Sequence, residues 1–388
     1  MSLRILIAVT HLLGAGHLVR ASAIGRALAR RGHHVTLASG GAPMPLADAS
    51  GLDLVQLPPV RAPLGDFSVL LGEDGQPAGP AYLDRRRRLL LATFARLRPH
   101  VVVTEQFPFG RRNLAGEFQA LLDAAAAQVP PPVLLGSVRD ILVAPAKPEK
   151  IERAHALVAR RYAAILVHGD EAVVPLGRSW PVDEALRRKL AYTGYVGPGE
   201  AAILPAGPDD GSILVSGGSS AAALPLYRAA LAAARLDASR PWRVLVGSAV
   251  EEEVFRQLLA EAPPGAAVER ARRDFQSLLA RAAVFVGQAG YNTVMDIVAT
   301  RARAVLVPFE LGQETEQRLR AECLAGEGLA TLLPEAELTP QNLLAAVAAA
   351  ASRPRPAFAI GLDGQERSAD LVETFAAART GSGAESAQ

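Results

Sequence analysis

The strongest constraint on this chain is a rhythm that appears twice. Short apolar runs of strand length alternate with amphipathic stretches of helix length. In the first half, strands are expected at 4–9, 34–38, 53–57, 100–104, 133–137 and 164–168. Helices are expected near 18–31, 81–97, 111–127 and 148–162. The 18–31 helix puts Ala21, Ile24, Gly25 and Leu28 on one face, leaving Arg20, Arg26, Arg30 and Arg31 largely outside it. A strand-helix-strand rhythm predicts a parallel sheet covered on both faces, because parallel neighbours require a crossover and the crossover helices supply the cover. A Gly- and Pro-rich segment from Tyr192 to Gly211 then reads as an interdomain linker. The rhythm restarts with strands at 212–216, 242–247, 283–287 and 304–308. Its helices fall near 222–235, 251–261, 275–282, 292–300, 313–325 and 340–351. The expectation is an α/β chain of two Rossmann-like, doubly wound domains, 1–198 and 211–362. A last helix, about 365–379 within a 363–380 segment, is expected to pack back on the first domain, with 381–388 as a disordered tail.

Bulk properties narrow the function classes. At 388 residues, half of them hydrophobic, the chain can fill two ordinary cores. The formal charge is only +2, with lysine confined to 147, 150 and 189, and aromatics are few. Nucleic-acid binding is therefore not expected. A lone Cys323 excludes an internal disulfide and fits a reducing compartment. The opening apolar run is too short for a signal-peptide core and no run reaches membrane-spanning length, so a cytoplasmic protein is expected. One segment, Asp84-Arg85-Arg86-Arg87-Arg88-Leu89-Leu90-Leu91, sets basic charge beside leucines and raises peripheral contact with the inner membrane surface. Four consecutive arginines wrap most of a helical turn, however, and a solvated helix is the expectation there.

In open α/β sheets ligands bind beyond the carboxyl ends of the strands, so the loops after strands carry the chemistry. After the first strand, Thr10-His11-Leu12-Leu13-Gly14-Ala15-Gly16-His17-Leu18-Val19-Arg20 begins like a dinucleotide fingerprint and fails it. Val19 takes the third glycine position, and the second strand ends at Ala38-Ser39 without an acid for a ribose. The glycine turn presents His17 at a helix N-terminus, where a neutral imidazole can serve as general base or merely cap the helix. The fourth strand ends in Glu105-Gln106-Phe107-Pro108-Phe109-Gly110-Arg111-Arg112. Glu105 can orient His17, bind a sugar hydroxyl, or pair with Arg111 or Arg112. His11, Gln106, Arg111 and Arg139 are candidates for an acceptor site. His33-His34 reads as structural.

The second half holds two anion-seeking turns. Ser216-Gly217-Gly218-Ser219-Ser220 follows one strand. Gln288-Ala289-Gly290-Tyr291-Asn292-Thr293 follows Val284-Phe285-Val286-Gly287 and opens a helix, with Asn292 or Thr293 expected at its cap. Asp296, one turn in, can accept from ribose hydroxyls, and Phe275 joins the nucleotide-contact candidates. Glu314, Glu316 and Gln317 can grip sugar hydroxyls or simply start a solvated helix. The sequence has no P-loop, no Asp-x-Asp, no Cys cluster and no paired His at helical spacing, so no metal and no cofactor are expected.

Through these residues the sequence resembles the GT-B superfamily of nucleotide-sugar glycosyltransferases, in particular the branch around MurG. Gly14-Ala15-Gly16-His17 is similar to that branch's N-terminal glycine loop, and Ser216 to Ala221 resembles its second one. Gln288 to Thr293 through Asp296, then Glu316-Gln317, resembles the donor-site signature. The resemblance implies two domains facing across a cleft and an inverting, metal-independent transfer from a nucleoside-diphosphate sugar, UDP by default, to a hydroxyl acceptor. It implies His17 as base, Gly16, Gly217 to Ser220 and Gln288 to Thr293 at phosphate, Asp296 at ribose, and Glu316 and Gln317 at the donor sugar. Gln288 stands where many relatives carry His, and Asp296 where Glu is common. The Thr104 to Arg112 segment is not a MurG feature and looks like a less characterised group of bacterial glycosyltransferases, so the MurG acceptor is not carried over. Two rivals remain open: a nucleotide-sugar hydrolase or epimerase, and a non-catalytic nucleotide-sugar-binding protein.

Overall fold

The structure is a computed structural model that describes residues 2–12, 16–44, 48–63, 69–197, 209–218, 221–310, 315–357 and 360–385. Two compact units emerge. One comprises Met1–Glu171, Pro175–Val196 and Asp363–Gln388, the other Ala172–Val174 and Gly197–Leu362.

The first unit is built on β1 (Arg4–Val9), β2 (His34–Ser39), β3 (Asp53–Gln56), β4 (Val101–Glu105), β5 (Val133–Arg139), β6 (Ala164–His168) and β7 (Leu190–Tyr192). All pairings are parallel and the order is β3-β2-β1-β4-β5-β6-β7. Its helices are α1 (Gly16–Arg30), α2 (Pro80–Leu97), α3 (Ala115–Ala127), α4 (Pro148–Arg161) and the short α5 (Glu184–Arg187). Because side chains alternate across a strand, β1 serves two cores. Ile5, Ile7 and Val9 pack with Leu18, Ile24 and Leu28 of α1, while Leu6 and Ala8 pack with Leu90 of α2 and Phe118 of α3. The order reverses between β1 and β4, which makes that junction the switch point where a ligand is expected.

The second unit repeats the plan with β8 (Ile213–Ser216), β9 (Trp242–Val246), β10 (Ala266–Arg270), β11 (Val284–Gly287), β12 (Ala304–Leu306) and β13 (Thr331–Leu332). Its order is β10-β9-β8-β11-β12-β13, again all parallel. Its helices are α6 (Leu224–Leu236), α7 (Glu252–Glu261), α8 (Phe275–Arg281), α9 (Tyr291–Thr300), α10 (Glu316–Gly326) and α11 (Pro340–Ala351). Local chemistry sets the ends. Pro80, Pro148 and Pro340 occupy first-turn positions, where a missing N–H costs nothing, and the Thr339 side chain caps α11 by accepting from the Asn342 N–H at 3.1 Å. The switch point here lies between β8 and β11, which pair Ser216 with Gly287.

Three short strands, β7, β10 and β13, escape the sequence reading; each lies at or next to a sheet edge and lacks a long apolar run. The last helix, α12 (Gly364–Glu385), runs past the expected onset of a tail at 381, since a helix already anchored propagates with one bond per residue fixed. It lies in the first unit, where Arg31 binds Glu366, Asp370 and Glu373 and His33 Nε2 meets Glu373 at 2.9 Å. The arginines of α1 also depart from expectation: Arg20 is turned inward and only 3% exposed. In α2, Arg85, Arg87 and Arg88 face solvent, but Arg86 is fully buried between Glu117 (2.9 Å) and the Gly40 carbonyl (2.8 Å). A basic run is thus one internal cation and three external ones. Among the described residues no helix is long and apolar enough to cross a membrane.

Candidate functional site

At the first switch point, α1 begins directly after the β1 loop and carries His17 in its first turn. Residues 13–15, including Gly14 and Ala15, lie outside the described residues; Gly16 is exposed. His17 Nδ1 lies 2.8 Å from Glu105 Oε1, and the carboxylate, the last residue of β4, is fully buried. Glu105 pairs with Arg20, one turn along α1, and accepts from the Ser137 hydroxyl. It pairs with neither Arg111 nor Arg112. Arg111 instead donates from Nε to the Thr10 carbonyl at the end of β1.

The electrostatics assign the tautomer. Burial raises the Glu105 pKa, but the Arg20 charge and the His17 hydrogen bond outweigh it and hold the carboxyl below its usual range. An ionised carboxylate only accepts, so His17 Nδ1 carries the proton and Nε2 is left as an acceptor. Arg20 Nη2, 3.1 Å from Nδ1, serves the carboxylate rather than the ring. Burial lowers the His17 pKa to about 3; the Glu105 bond opposes this, and the charges of Arg111, Arg139 and Arg20 reinforce it. The ring stays neutral at pH 7 and keeps 13% of its surface open to solvent.

The segment after β4 is a scaffold for this pair. Gln106 takes a left-handed φ of 68° that costs a non-glycine residue roughly 1 kcal/mol. Its N–H reaches the Ser137 carbonyl at 2.8 Å and its carbonyl accepts from Gly110 at 2.6 Å, which hold that conformation. Phe107 stacks on Phe118 (centroids 4.8 Å) and Phe109 meets Trp180 edge-on (5.1 Å). These contacts anchor the loop on the core while Gln106 and Arg111 remain at the sheet's carboxyl edge. Arg139 ends β5 on the same edge, half-buried. His11 is buried against Gly41, and burial lowers its pKa.

At the second switch point the two glycine loops follow adjacent strands. A Cβ on Gly217 would come within 1.9 Å of the Ala223 Cβ, and one on Gly287 within 2.6 Å of the Ser216 carbonyl oxygen. Only glycine permits this approach. The Tyr227 hydroxyl accepts from the Gly217 and Gly247 N–H groups at 3.2 and 3.3 Å, and Gly218 N–H reaches Ser216 Oγ at 3.2 Å. Ser219 and Ser220 lie outside the described residues. Gly287→Ala is expected to cost about 1–3 kcal/mol, because a backbone oxygen must move. Urea denaturation measures this, and a wild-type midpoint would mean that the loops sit farther apart.

The cap of α9 differs from expectation. Gly290, not Asn292 or Thr293, is the N-cap, in an extended conformation (ψ 150°) and without a side-chain cap bond. The helix is capped two or three residues earlier than the polar pattern suggested, so Tyr291, Asn292 and Thr293 form the first turn. Their N–H groups align with the positive end of the helix dipole. Gln288 is buried at the end of β11. Asp296 is half-buried, its Oδ1 accepts from Gln276 at 2.7 Å, and burial raises its pKa against that bond. Phe275 starts α8 and meets Phe285 edge-on at 6.0 Å.

Glu314 lies outside the described residues, and its two companions have structural partners. Glu316 Oε1 holds the fully buried Arg320 at 2.8 Å, and Gln317 Oε1 accepts from the Phe309 N–H at 3.1 Å. Arg320 in turn donates to the Ala289 carbonyl at 2.8 Å and lies 5.8 Å from the Tyr291 ring centroid. It props the loop that starts α9, and nothing in the sequence flagged it. Arg20, Ser137 and His168 were also missed, although signals existed. Arg20 is three residues from His17 on one helix, and Ser137 and His168 end strands expected at 133–137 and 164–168. Among the described residues no cluster of three His, Cys, Asp or Glu side chains is placed to hold a metal.

Residues 212–374 match the glycosyltransferase family 28 C-terminal domain. The chain is 29% identical over 378 residues to the UDP-N-acetylglucosamine–N-acetylmuramyl-(pentapeptide) pyrophosphoryl-undecaprenol N-acetylglucosamine transferase of Rhodospirillum centenum, covering 92% of this chain and 91% of the relative. The enzyme of the same name from Verminephrobacter eiseniae is 34% identical over 156 residues, 40% of this chain and 43% of the relative. Among solved structures, the glycosyltransferase of kitacinnamycin aligns with a TM-score of 0.61 at 21% identity, covering 97% of this chain and 99% of that one. Acinetobacter baumannii MurG aligns with a TM-score of 0.60 at 17% identity, covering 96% and 99%. These two share the GT-B fold with this chain.

Proposed function

From the premise that this chain is a GT-B glycosyltransferase with a family 28-type C-terminal domain, we propose an inverting, metal-independent transfer. The donor is a UDP-hexose or UDP-N-acetylhexosamine and the acceptor a hydroxyl group, on a cell-envelope glycolipid or a small molecule. The observation that carries this reading is the His17 Nδ1–Glu105 contact at 2.8 Å on the carboxyl edge of the first sheet, which leaves Nε2 as a proton acceptor. The donor assignment is supported by the relatives, whose name specifies UDP-N-acetylglucosamine as donor and an undecaprenol-linked acceptor.

Each residue then has a chemical task. His17 Nε2 takes the proton of the acceptor hydroxyl as its oxygen bonds to the anomeric carbon. The bond from that carbon to the diphosphate oxygen breaks, and its electron pair leaves with the nucleoside diphosphate. One displacement inverts the configuration. Glu105, held ionised, stabilises the imidazolium through Nδ1–H. Charge on the leaving group falls to the glycine loop at 216–220 as a whole and to the first turn of α9, with Gln288 beside them. Asp296 binds ribose through the oxygen that Gln276 leaves free. Phe275 is assigned to the nucleotide, and Gln317 with Glu314 and Glu316 to the donor sugar. His11, Gln106, Arg111 and Arg139 form the acceptor side. A pKa of about 3 makes His17 a weak base before substrate binds. An anion near Arg111, Arg139 and Arg20 would cancel part of their effect and strengthen it.

A thermal-shift panel of UDP, dTDP, GDP and ADP, with UDP-glucose and UDP-N-acetylglucosamine, tests the reading. The uridine ligands are expected to raise Tm, by the equivalent of about 2.7 kcal/mol at a hundred times Kd. EDTA should change neither the shift nor turnover. No shift with any ligand would overturn the donor assignment, and stoichiometric release of free sugar without acceptor would identify a hydrolase.

A further inference from the structure

Glu105 offers two oxygens, and the second one opens a buried path across the sheet. Ser137 Oγ donates to Oε2; Ser137 Oγ lies 2.8 Å from His168 Nε2, and His168 Nδ1 lies 2.9 Å from Thr193 Oγ1. The side chains come in order from the carboxyl ends of β4, β5 and β6 and the residue just after β7. Ser137 is 2% exposed, and Glu105, His168 and Thr193 are fully buried.

Proton counting orders the chain. Ser137 has one hydroxyl proton, committed to the carboxylate, so it can only accept from His168 Nε2–H. Burial, reinforced by the Arg20 charge, lowers the His168 pKa to about 3 against the pull of Glu105, so the ring is neutral. A neutral ring protonated at Nε2 has Nδ1 as acceptor, and it meets Thr193 Oγ1, whose single proton also reaches the Gly194 carbonyl at 2.8 Å and the Val167 carbonyl at 3.3 Å. The Ser137 and His168 donors thus both point toward Glu105. Reversing one link would leave two protons or two lone pairs facing each other in a dry interior, at the cost of an unsatisfied buried group.

The geometry points to Ser137 and His168 as positioning residues for the His17–Glu105 pair, holding the second carboxylate oxygen so that the first keeps His17 in its Nδ1–H tautomer. This role rests on His17 being the base. No proton crosses the chain during turnover. The proton from the acceptor stays on His17 Nε2, and the chain's contribution is to stop the carboxylate from rotating and accepting both bonds from Arg20 alone.

The test uses the full-length protein labelled with 15N-histidine. Wild type is expected to show a single Nδ1–H tautomer at His17, and Ser137→Ala and His168→Leu a mixture. Ser137→Thr and His168→Gln, which keep a hydroxyl and an amide N–H, should restore it. UDP release from UDP-N-acetylglucosamine is expected to fall about tenfold in kcat in the first two variants, with KM for the sugar nucleotide within about twofold. In a Glu105→Ala background, Ser137→Ala should have no further effect. An unchanged tautomer in both Ser137→Ala and His168→Leu, or full additivity with Glu105→Ala, would overturn the positioning role. The failure of the base itself looks different, because His17→Ala would then release UDP at the wild-type rate.

Discussion

His17→Ala is expected to lower kcat by about two orders of magnitude or more while UDP still raises the melting temperature as in wild type. The separation follows from where the groups sit. The imidazole belongs to the first unit, and the amides proposed for the diphosphate belong to the second. Removing the ring deletes the proton acceptor but leaves Glu105 satisfied by Arg20 and Ser137, so the fold loses little. Glu105→Gln is the informative partner. It leaves Arg20, only 3% exposed, beside a neutral amide, and breaking such a pair costs about 3–5 kcal/mol. The Gln variant should therefore lose both turnover and thermal stability, whereas the Ala variant loses turnover alone. Steady-state kinetics with UDP-N-acetylglucosamine and calorimetry on both proteins check this. Wild-type turnover in His17→Ala would remove the base assignment.

Acid should destabilise the first unit steeply, beginning well above the range in which carboxylates titrate. His17 and His168 both have folded pKa values lowered to about 3, mainly by burial, from an ordinary value of 6.5. The sign follows from proton counts: below about pH 6.5 the unfolded chain takes up these protons and the folded chain does not. Their stabilising contribution is therefore complete above pH 6.5 and is lost as pH falls toward 3. Midway, two extra protons on the unfolded state correspond to a slope of about 2.7 kcal/mol per pH unit. Glu105 adds to the loss only once the pH enters the ordinary carboxylate range, where the unfolded carboxyl takes up a proton that the folded one, with its depressed pKa, does not. Scanning calorimetry from pH 7.5 to 4.5 should show Tm nearly flat at first and then falling sharply. His168→Gln should lower the slope between pH 4 and 6 by about 1.4 kcal/mol per pH unit, because one latent proton is gone. A Tm independent of pH down to 5 would mean that neither ring is held neutral by burial.

Much of this arrangement was legible in the chain. The strand runs at 4–9 and 164–168 match β1 and β6 residue for residue, because a strand buried on both faces is a continuous apolar run with sharp polar ends. The glycine loops were legible for a similar reason, since a loop that must approach a neighbouring backbone carries glycine wherever a Cβ would collide, as at Gly217 and Gly287. Three edge strands, β7, β10 and β13, were not legible; β13 has two residues, and pairing rather than composition makes it a strand. The cap of α9 was misplaced because polar side chains at 292 and 293 imitate capping residues, while the cap itself needs no side chain.

By itself, the sequence determined the α/β class, the doubling of the unit and the strand ends on which His17, Glu105, the Ser216 loop and the Gln288 loop would fall. All of these depend on local periodicity and on steric limits that act within a few residues. Only the tertiary structure decided which charges meet. Arg20 leaves the solvent for Glu105, Arg320 reaches the Ala289 carbonyl, and Ser137, His168 and Thr193 line up behind the carboxylate. The physical reason is that a hydrogen bond or ion pair is set by strand order and register, which bring together residues about 25 to 90 positions apart, and no local pattern encodes that adjacency.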